Sequence, residues 1–149
     1  MLADNIYVPN TKVLLATHLH SLYIGNEKVK TEFVTDDSQS IQVGVLHRQA
    51  GTIVNAHQHL PVQKQVVGTQ EVLIVRSGHI VVDIFDTNGD FVAAKPLRTG
   101  DIYIQYCGGH AFHFITDVQF VEIKQGPYTP ADKVFFNPHF NPLAHEQTK

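Results

Sequence analysis

Two histidines separated by one residue, His57 and His59, are the feature of the sequence best suited to chemistry. In a β-strand, residues two apart project from the same face, so the two imidazoles would converge. Paired imidazoles bind divalent Zn, Fe, Mn, Ni or Cu. Glu71 opens the next strongly apolar run and offers a carboxylate, and His110 follows the flexible pair Gly108–Gly109. The sequence thus indicates a metal site of three imidazoles and one carboxylate.

Two other histidine positions compete with this assignment. A second pair with the same spacing, His18 and His20, has no carboxylate in a comparable context, and we interpret it as structural or as part of the surface. His113 competes with His110, because it lies three residues further along the same apolar run. In a regular strand it faces the opposite side, and only a bulge would turn it inward.

The elements that must position these residues are short apolar or alternating runs bounded by Gly, Asn and Asp, a pattern that predicts strands. The expected strands cover residues 12–16, 41–46, 71–75, 80–85, 91–94, 102–104, 111–115 and 118–123. Ser77–Gly78 and Asn88–Gly89 each predict a tight hairpin between neighbouring strands. Between residues 31 and 125 there is no apolar stripe of helical period long enough for a stable helix. We therefore expect an all-β sandwich or barrel.

Length and composition restrict the class of protein. The chain has 149 residues, 43% of them hydrophobic and 17% charged, which favours one folded domain and disfavours disorder. The formal net charge is -3 and no cluster of Lys and Arg occurs, so a nucleic-acid surface is not expected. No apolar run approaches the length of a membrane span, so no membrane partner is expected either.

Cysteine usage and the first residues bear on the setting of the protein. The single cysteine, Cys107, excludes an internal disulfide and every Cys-rich zinc module, and we interpret it as structural. The opening MLADNIYVPN lacks the basic and then apolar order of a signal peptide. We therefore expect a cytoplasmic protein.

The spacing around the predicted ligands resembles that of the cupin family. The first cupin motif is Gly, five residues, His-x-His, a short gap, Glu, six residues and Gly. Here five residues separate Gly51 from His57, and six separate Glu71 from Gly78. The gap from His59 to Glu71 is eleven residues, longer than the family usually has, and predicts an inserted loop.

The second cupin motif is matched less closely. It begins at Gly100–Asp101 and ends at His110, but Gln105 or Tyr106 stands where the family has Pro, and the segment is one residue short. The resemblance covers residues 43–124. It implies a single domain over residues 1–149, a double-stranded β-helix or jelly-roll barrel, with an irregular Pro-rich tail at 126–149.

The resemblance also implies a site and an assembly. The barrel would hold a divalent transition metal (Fe, Mn, Zn or Ni) and leave positions open for water, dioxygen or substrate. The ligands that the resemblance implies are His57, His59, Glu71 and His110. Cupins are commonly homodimers that exchange N-terminal strands, and Lys12–Ile24 is the candidate segment here.

Three functions remain open for such a protein. The first is a metalloenzyme (oxygenase, isomerase or lyase) acting on a small polar organic molecule. The second is a protein that binds a sugar or carboxylic acid without catalysis, and the third is a metal-free sugar-nucleotide epimerase or isomerase. The complete ligand set with its glutamate weighs against the third. Side chains that we expect around the substrate pocket are Gln63, Gln65, Tyr106 and Phe112.

Overall fold

A computed structural model describes residues 3–21 and 31–137, and these residues are almost entirely in strands and loops. The strands are β1 (Ala3–Tyr7), β2 (Leu14–Leu19), β3 (Thr31–Phe33), β4 (Gly44–Leu46), β5 (Glu71–Ser77), β6 (His79–Phe85), β7 (Phe91–Arg98), β8 (Ile102–Gln105), β9 (Gly109–Phe114) and β10 (Gln119–Lys124). A single turn of 3-10 helix covers Pro130–Asp132. The prediction of an all-β protein is confirmed.

The strands form three antiparallel sheets. The large sheet has the order β1-β2-β8-β5-β10, the small sheet the order β7-β6-β9, and β3 pairs with β4. None of these sheets closes into a barrel within the part of the chain that the structure describes. The jelly-roll topology therefore stays a prediction.

The main core lies between the large and the small sheet. Strand alternation in β5 turns Leu73 and Val75 toward this core, where they meet Ile80, Val82 and Ile84 of β6. The other face of the large sheet is also buried, because a second apolar cluster there contains Leu19, Val72, Ile104 and Tyr106. Burial on both faces accounts for the continuous apolar run of β5 in the sequence.

One predicted hairpin is confirmed. β6 and β7 pair antiparallel across the turn that contains Asn88–Gly89. Gly89 adopts a positive φ of 86°, and its N–H donates to the carbonyl oxygen of Asp86. The carboxylate of Asp86 accepts a hydrogen bond from the N–H of Asn88, which fixes the turn from its side chain.

The other predicted hairpin, at Ser77–Gly78, is wrong. β5 pairs with β8 and β10, whereas β6 pairs with β7 and β9, so this turn is a corner between the two sheets. Gly78 has a φ of 96°, and a Cβ atom there would lie 2.3 Å from the carbonyl oxygen of Asp117. Glycine is therefore needed here because two backbone segments cross closely, and not because of a two-residue hairpin turn.

The segment 47–69 leaves the sheets. It contains no strand and all of its residues are exposed, including large apolar side chains such as Ile53, Leu60 and Val67. In the tail, by contrast, Phe136 contacts the sheets: its ring packs edge-on against Phe85 with centroids 5.4 Å apart.

The segment predicted for exchange between subunits pairs, in its described part, within its own chain. Leu14–Leu19 forms β2 between β1 and β8, and residues 22–24 lie outside the described residues. The homodimer stays a prediction. Among the described residues there is no helix with the length and apolar character needed to cross a bilayer.

Candidate metal centre

Two of the four predicted ligands lie side by side. Glu71 begins β5 and His110 is the second residue of β9, and Nε2 of His110 is 3.4 Å from Oε2 of Glu71. Glu71 is buried, its Oε2 atom has no hydrogen bond, and Lys124 Nζ approaches its Oε1 atom at 3.4 Å. Burial lowers the pKa of His110 although Glu71 opposes this, so the imidazole is neutral near pH 7 and able to ligate.

The other two predicted ligands lie elsewhere. His57 and His59 are exposed on the segment 47–69, with ring centroids 5.5 Å apart. No strand aligns them, because the segment 47–69 contains none as the structure describes it. Within the described part of the chain, no three of the four predicted ligands bring their ligand atoms within 4.8 Å of one another. The four-ligand set stays a prediction.

The structure distinguishes the two competing histidines of β9 by their partners. His113 Nε2 lies 2.5 Å from Oδ2 of Asp83, a buried carboxylate of β6. His110 is the one that approaches Glu71. The two side chains thus meet different carboxylates, as expected for residues three apart on a strand.

The predicted pocket residues are dispersed. Gln63 and Gln65 are exposed on the segment 47–69. Tyr106 belongs to the apolar cluster on the opposite face of the large sheet, because it continues the alternation of Ile104. Phe112 does lie near the predicted site, since its ring centroid is 4.7 Å from that of His110.

Cys107 fits its structural interpretation. Its Sγ atom lies 3.6 Å from the carbonyl oxygen of Leu14. Burial raises the pKa of the thiol, which makes the reactive thiolate scarce near neutral pH.

The pair His18 and His20, rather than the pair in the cupin motif, meets a carboxylate from a neighbouring strand. The register of β1 and β2 places Asp4 opposite His18. The two rings lie with their centroids 4.1 Å apart, and His20 Nε2 is 3.6 Å from Oδ2 of Asp4. The ligand atoms of all three residues lie within 4.8 Å of one another, and no other group of three or more His, Cys, Asp or Glu does so among the described residues. We call these three residues the β1–β2 triad.

A second carboxylate, that of Asp101, also contacts His18. His18 Nε2 lies 3.0 Å from Oδ2 of Asp101. Asp101 also accepts hydrogen bonds from the N–H groups of Arg98 and Ser21. Burial raises the pKa of Asp101, but these hydrogen bonds outweigh it and the net shift is downward, so the group is a carboxylate. His18 Nδ1 is buried without a hydrogen-bond partner.

Protonation in the triad favours ligation. Burial lowers the pKa of His18, against the opposing effect of Asp101, so its imidazole is neutral. The pKa of Asp4 is lowered mainly by its hydrogen bond to Lys95, whose Nζ atom lies 3.0 Å from Oδ2 of Asp4. The triad therefore presents one anionic oxygen and two imidazoles, beside one ammonium group.

The expectation that His18 and His20 have no carboxylate beside them is wrong, because Asp4 lies there, whereas their interpretation as a structural or surface pair stays a prediction. The carboxylate was missed because the sequence of β1, Ala3–Tyr7, has no clear run or alternation of apolar residues that would predict a strand. The sequence carried one signal for this pair. Strand alternation places the two histidines of a His-x-His pair on the same face, and it applied to His18 and His20 as much as to His57 and His59.

Comparison with known proteins does not assign this chain to a protein family: no protein-family model, curated protein or solved structure matches it. Fold and site together define an all-β protein with a possible metal-binding triad at Asp4, His18 and His20.

Proposed function

We propose that this protein binds one divalent transition metal ion on Asp4, His18 and His20. The observation that carries the proposal is the buried Nδ1 atom of His18, which lacks a hydrogen bond while Nε2 is held by Asp101. A buried nitrogen without a partner is costly, and a metal ion would satisfy it. The carboxylate behind the imidazole is the arrangement that commonly orients a ligating histidine.

The distances suit coordination after small side-chain movements. Metal–nitrogen bonds of about 2.1 Å in a tetrahedral site separate the ligand atoms by about 3.4 Å. His20 Nε2 and Asp4 Oδ2 are already 3.6 Å apart. The side chains of His20 and Asp4 are 37% and 32% exposed, so they have room to close on an ion.

The donor set supports a metalloenzyme that acts on a small polar organic molecule. Two imidazoles and one carboxylate leave coordination positions open, and zinc enzymes and non-haem iron oxygenases use such a set. Two neutral imidazoles, one carboxylate and a divalent ion give a net charge of about +1, which polarises a bound carbonyl or anion. A purely structural zinc site would be closed by a fourth protein ligand.

Glu71 and His110 support a second candidate, the cupin-type site. The buried Oε2 atom of Glu71 has no hydrogen bond and faces a neutral imidazole. If the segment 47–69 folds back against β9, His57 and His59 would complete the ligand set that the resemblance implies. This candidate requires a rearrangement, whereas the β1–β2 triad requires only side-chain adjustment.

The test is a titration of metal-stripped protein with Co²⁺, whose visible absorption reports the ligand set, with elemental analysis of stoichiometry. We compare the wild type with His20→Ala and Asp4→Asn, and with Glu71→Gln and His110→Ala. His47→Ala serves as control because His47 is exposed and belongs to neither group. Melting curves check that each variant is folded.

The two candidates predict opposite patterns. For the β1–β2 triad, His20→Ala and Asp4→Asn lower the affinity at least about tenfold, while the other variants match the wild type. If only Glu71→Gln and His110→Ala lower the metal affinity, the metal binds at the second candidate site. A wild-type protein that takes up no metal above pH 7 contradicts both and favours metal-free chemistry. Affinity should also fall as pH drops through the imidazole range, because protonated histidine does not ligate.

A further inference from the structure

A cleft of about 940 Å³ opens on the face of the large sheet opposite the β1–β2 triad. We call it the outer cleft. It is bounded by β1, β2, Tyr106 and the segment 34–39. Asn5 pairs with Thr17 one register position after Asp4 and His18, so alternation turns these two side chains to the other face of the sheet. The outer cleft is therefore separate from the candidate metal centre.

A directed chain of hydrogen bonds forms the floor of the outer cleft. The hydroxyl of Thr17 donates to Oδ1 of Asn5 at 2.7 Å, and the Tyr106 hydroxyl lies 3.2 Å from Oγ1 of Thr17. A threonine hydroxyl carries one hydrogen, so Tyr106 must donate in the second contact. Lone pairs of Tyr106 then remain as acceptors, and the two N–H bonds of the Asn5 amide remain as donors.

Burial keeps this arrangement fixed. Thr17 is 1% exposed and Tyr106 is 5% exposed, whereas Asn5 is exposed to the cleft opening. Burial also raises the pKa of Tyr106, so the hydroxyl keeps its proton through the neutral range. A polar floor that keeps free lone pairs on Tyr106 and free N–H groups on Asn5 selects ligands that can both donate and accept.

The charge of the lining favours a neutral ligand. Among the described residues, Asp36 and Lys12 are the only acid and base that line the cleft, so their formal charges cancel. The carboxylate of Asp36 is engaged by Ser38, whose N–H and hydroxyl donate to Oδ1 at 2.9 and 2.6 Å. Tyr7, 45% exposed at the same cleft, offers an aromatic surface for the apolar side of a sugar ring.

We propose that the outer cleft binds a neutral polyhydroxylated small molecule of the saccharide class. Vicinal hydroxyl groups donate to the Tyr106 oxygen and accept from the Asn5 amide, which matches the directed floor. This inference does not depend on the proposed metal site, because the two lie on opposite faces of the large sheet.

The experiment is a ¹H–¹⁵N NMR titration of the full chain with glucose, maltose and sorbitol, with citrate and inorganic phosphate as charged probes. The variants are Asn5→Ala and Tyr106→Phe. Tyr128→Phe is the matched control, because Tyr128 is 63% exposed and does not line the cleft. Asn5 is exposed, so its variant tests the proposal even where Tyr106→Phe does not fold.

We expect saturable shifts confined to residues around the cleft for at least one neutral probe. Each of Asn5→Ala and Tyr106→Phe should weaken that binding about tenfold, the usual effect of one lost hydrogen bond, and Tyr128→Phe should not change it. Three outcomes overturn the proposal: no saturable shift up to about 50 mM of every neutral probe, tighter binding of citrate or phosphate, or binding unaffected by both cleft variants.

Discussion

Nε2 of His18 lies 3.0 Å from Oδ2 of Asp101, although the two residues are 83 positions apart in the chain. Asp101 joins three parts of the structure, because it also binds the N–H of Ser21 after β2 and the N–H of Arg98 at the end of β7. The imidazole is thereby fixed in rotation, and its Nδ1 atom is left without a hydrogen bond. Asp101 thus determines which nitrogen of His18 is free for a metal ion.

Asp101→Asn should weaken both folding and metal binding. An amide puts an NH₂ group where one of the two oxygens accepts from an N–H, so at least one buried donor loses its partner. We expect the free energy of unfolding to fall by about 1–3 kcal/mol and metal affinity to fall about 10–100-fold. Asp37→Asn, at an exposed carboxylate, is the control. Unchanged affinity in a folded Asp101→Asn protein would show that this carboxylate does not orient a ligand.

The two His-x-His pairs show what the sequence could and could not predict. Alternation correctly indicates that His18 and His20 share a face, and their ring centroids lie 4.1 Å apart. The carboxylate that joins them depends on the pairing of β1 with β2, which local sequence does not encode. His57 and His59 have the same spacing, but no neighbouring strand aligns them in the structure as described.

Strands were easier to predict than their pairing. All eight expected runs overlap observed strands, because Val, Ile and Phe bounded by turn residues suit a buried sheet. The prediction at Ser77–Gly78 was wrong because the sequence signal of a glycine turn is the same whether the turn joins two paired strands or connects two sheets. The pairings of β5 with β10 and of β6 with β9 decide this, and both bring together residues distant in sequence.

Gly78→Ala should be much more destabilising than Gly68→Ala. Both glycines have positive φ, 96° and 77°, so both substitutions carry the backbone strain of an L-residue there. That strain is about 1–2 kcal/mol. Only at Gly78 would the new Cβ atom collide with backbone, 2.3 Å from the Asp117 oxygen, whereas nothing lies within 4 Å at Gly68. Chemical denaturation should therefore show a loss above about 3 kcal/mol for Gly78→Ala alone. Equal losses would contradict the close crossing at this corner.

Phe136→Ala and Phe135→Ala test whether the tail is docked. Phe136 packs edge-on against Phe85 and against the backbone at Gly89 and Gly109, whereas Phe135 is 95% exposed. We expect Phe136→Ala to lower the free energy of unfolding by about 1–2 kcal/mol and Phe135→Ala to change it by less than about 0.5 kcal/mol. A tail that is free in solution would give the same small effect for both variants.

Cys107 should react slowly with iodoacetamide in the folded protein. Its pKa is raised by burial, so the thiolate that attacks the reagent is scarce below the raised pKa. The unfolded chain loses this proton first as pH rises, because its thiol keeps an ordinary pKa of about 8.5. The free energy of unfolding should therefore decline above that pH, and Cys107→Ala should remove the part of the decline below about pH 10, where unfolded tyrosine begins to ionise. Alkylation as fast as in urea-unfolded protein at pH 8 would contradict the burial of the thiol.

Lys95→Met should strengthen metal binding while weakening the metal-free protein slightly. Lys95 holds Oδ2 of Asp4 at 3.0 Å, so its ammonium competes with a metal ion for the same carboxylate and repels the ion. Its side chain is 28% exposed, and a partly exposed pair of this kind contributes about 0–1 kcal/mol to folding. We expect the Co²⁺ affinity to rise about three- to tenfold, with Lys64→Met, on the exposed segment 47–69, as control. Affinity that stays the same or falls would mean that Asp4 serves only as the anionic partner of Lys95 and His20, and not as a metal ligand.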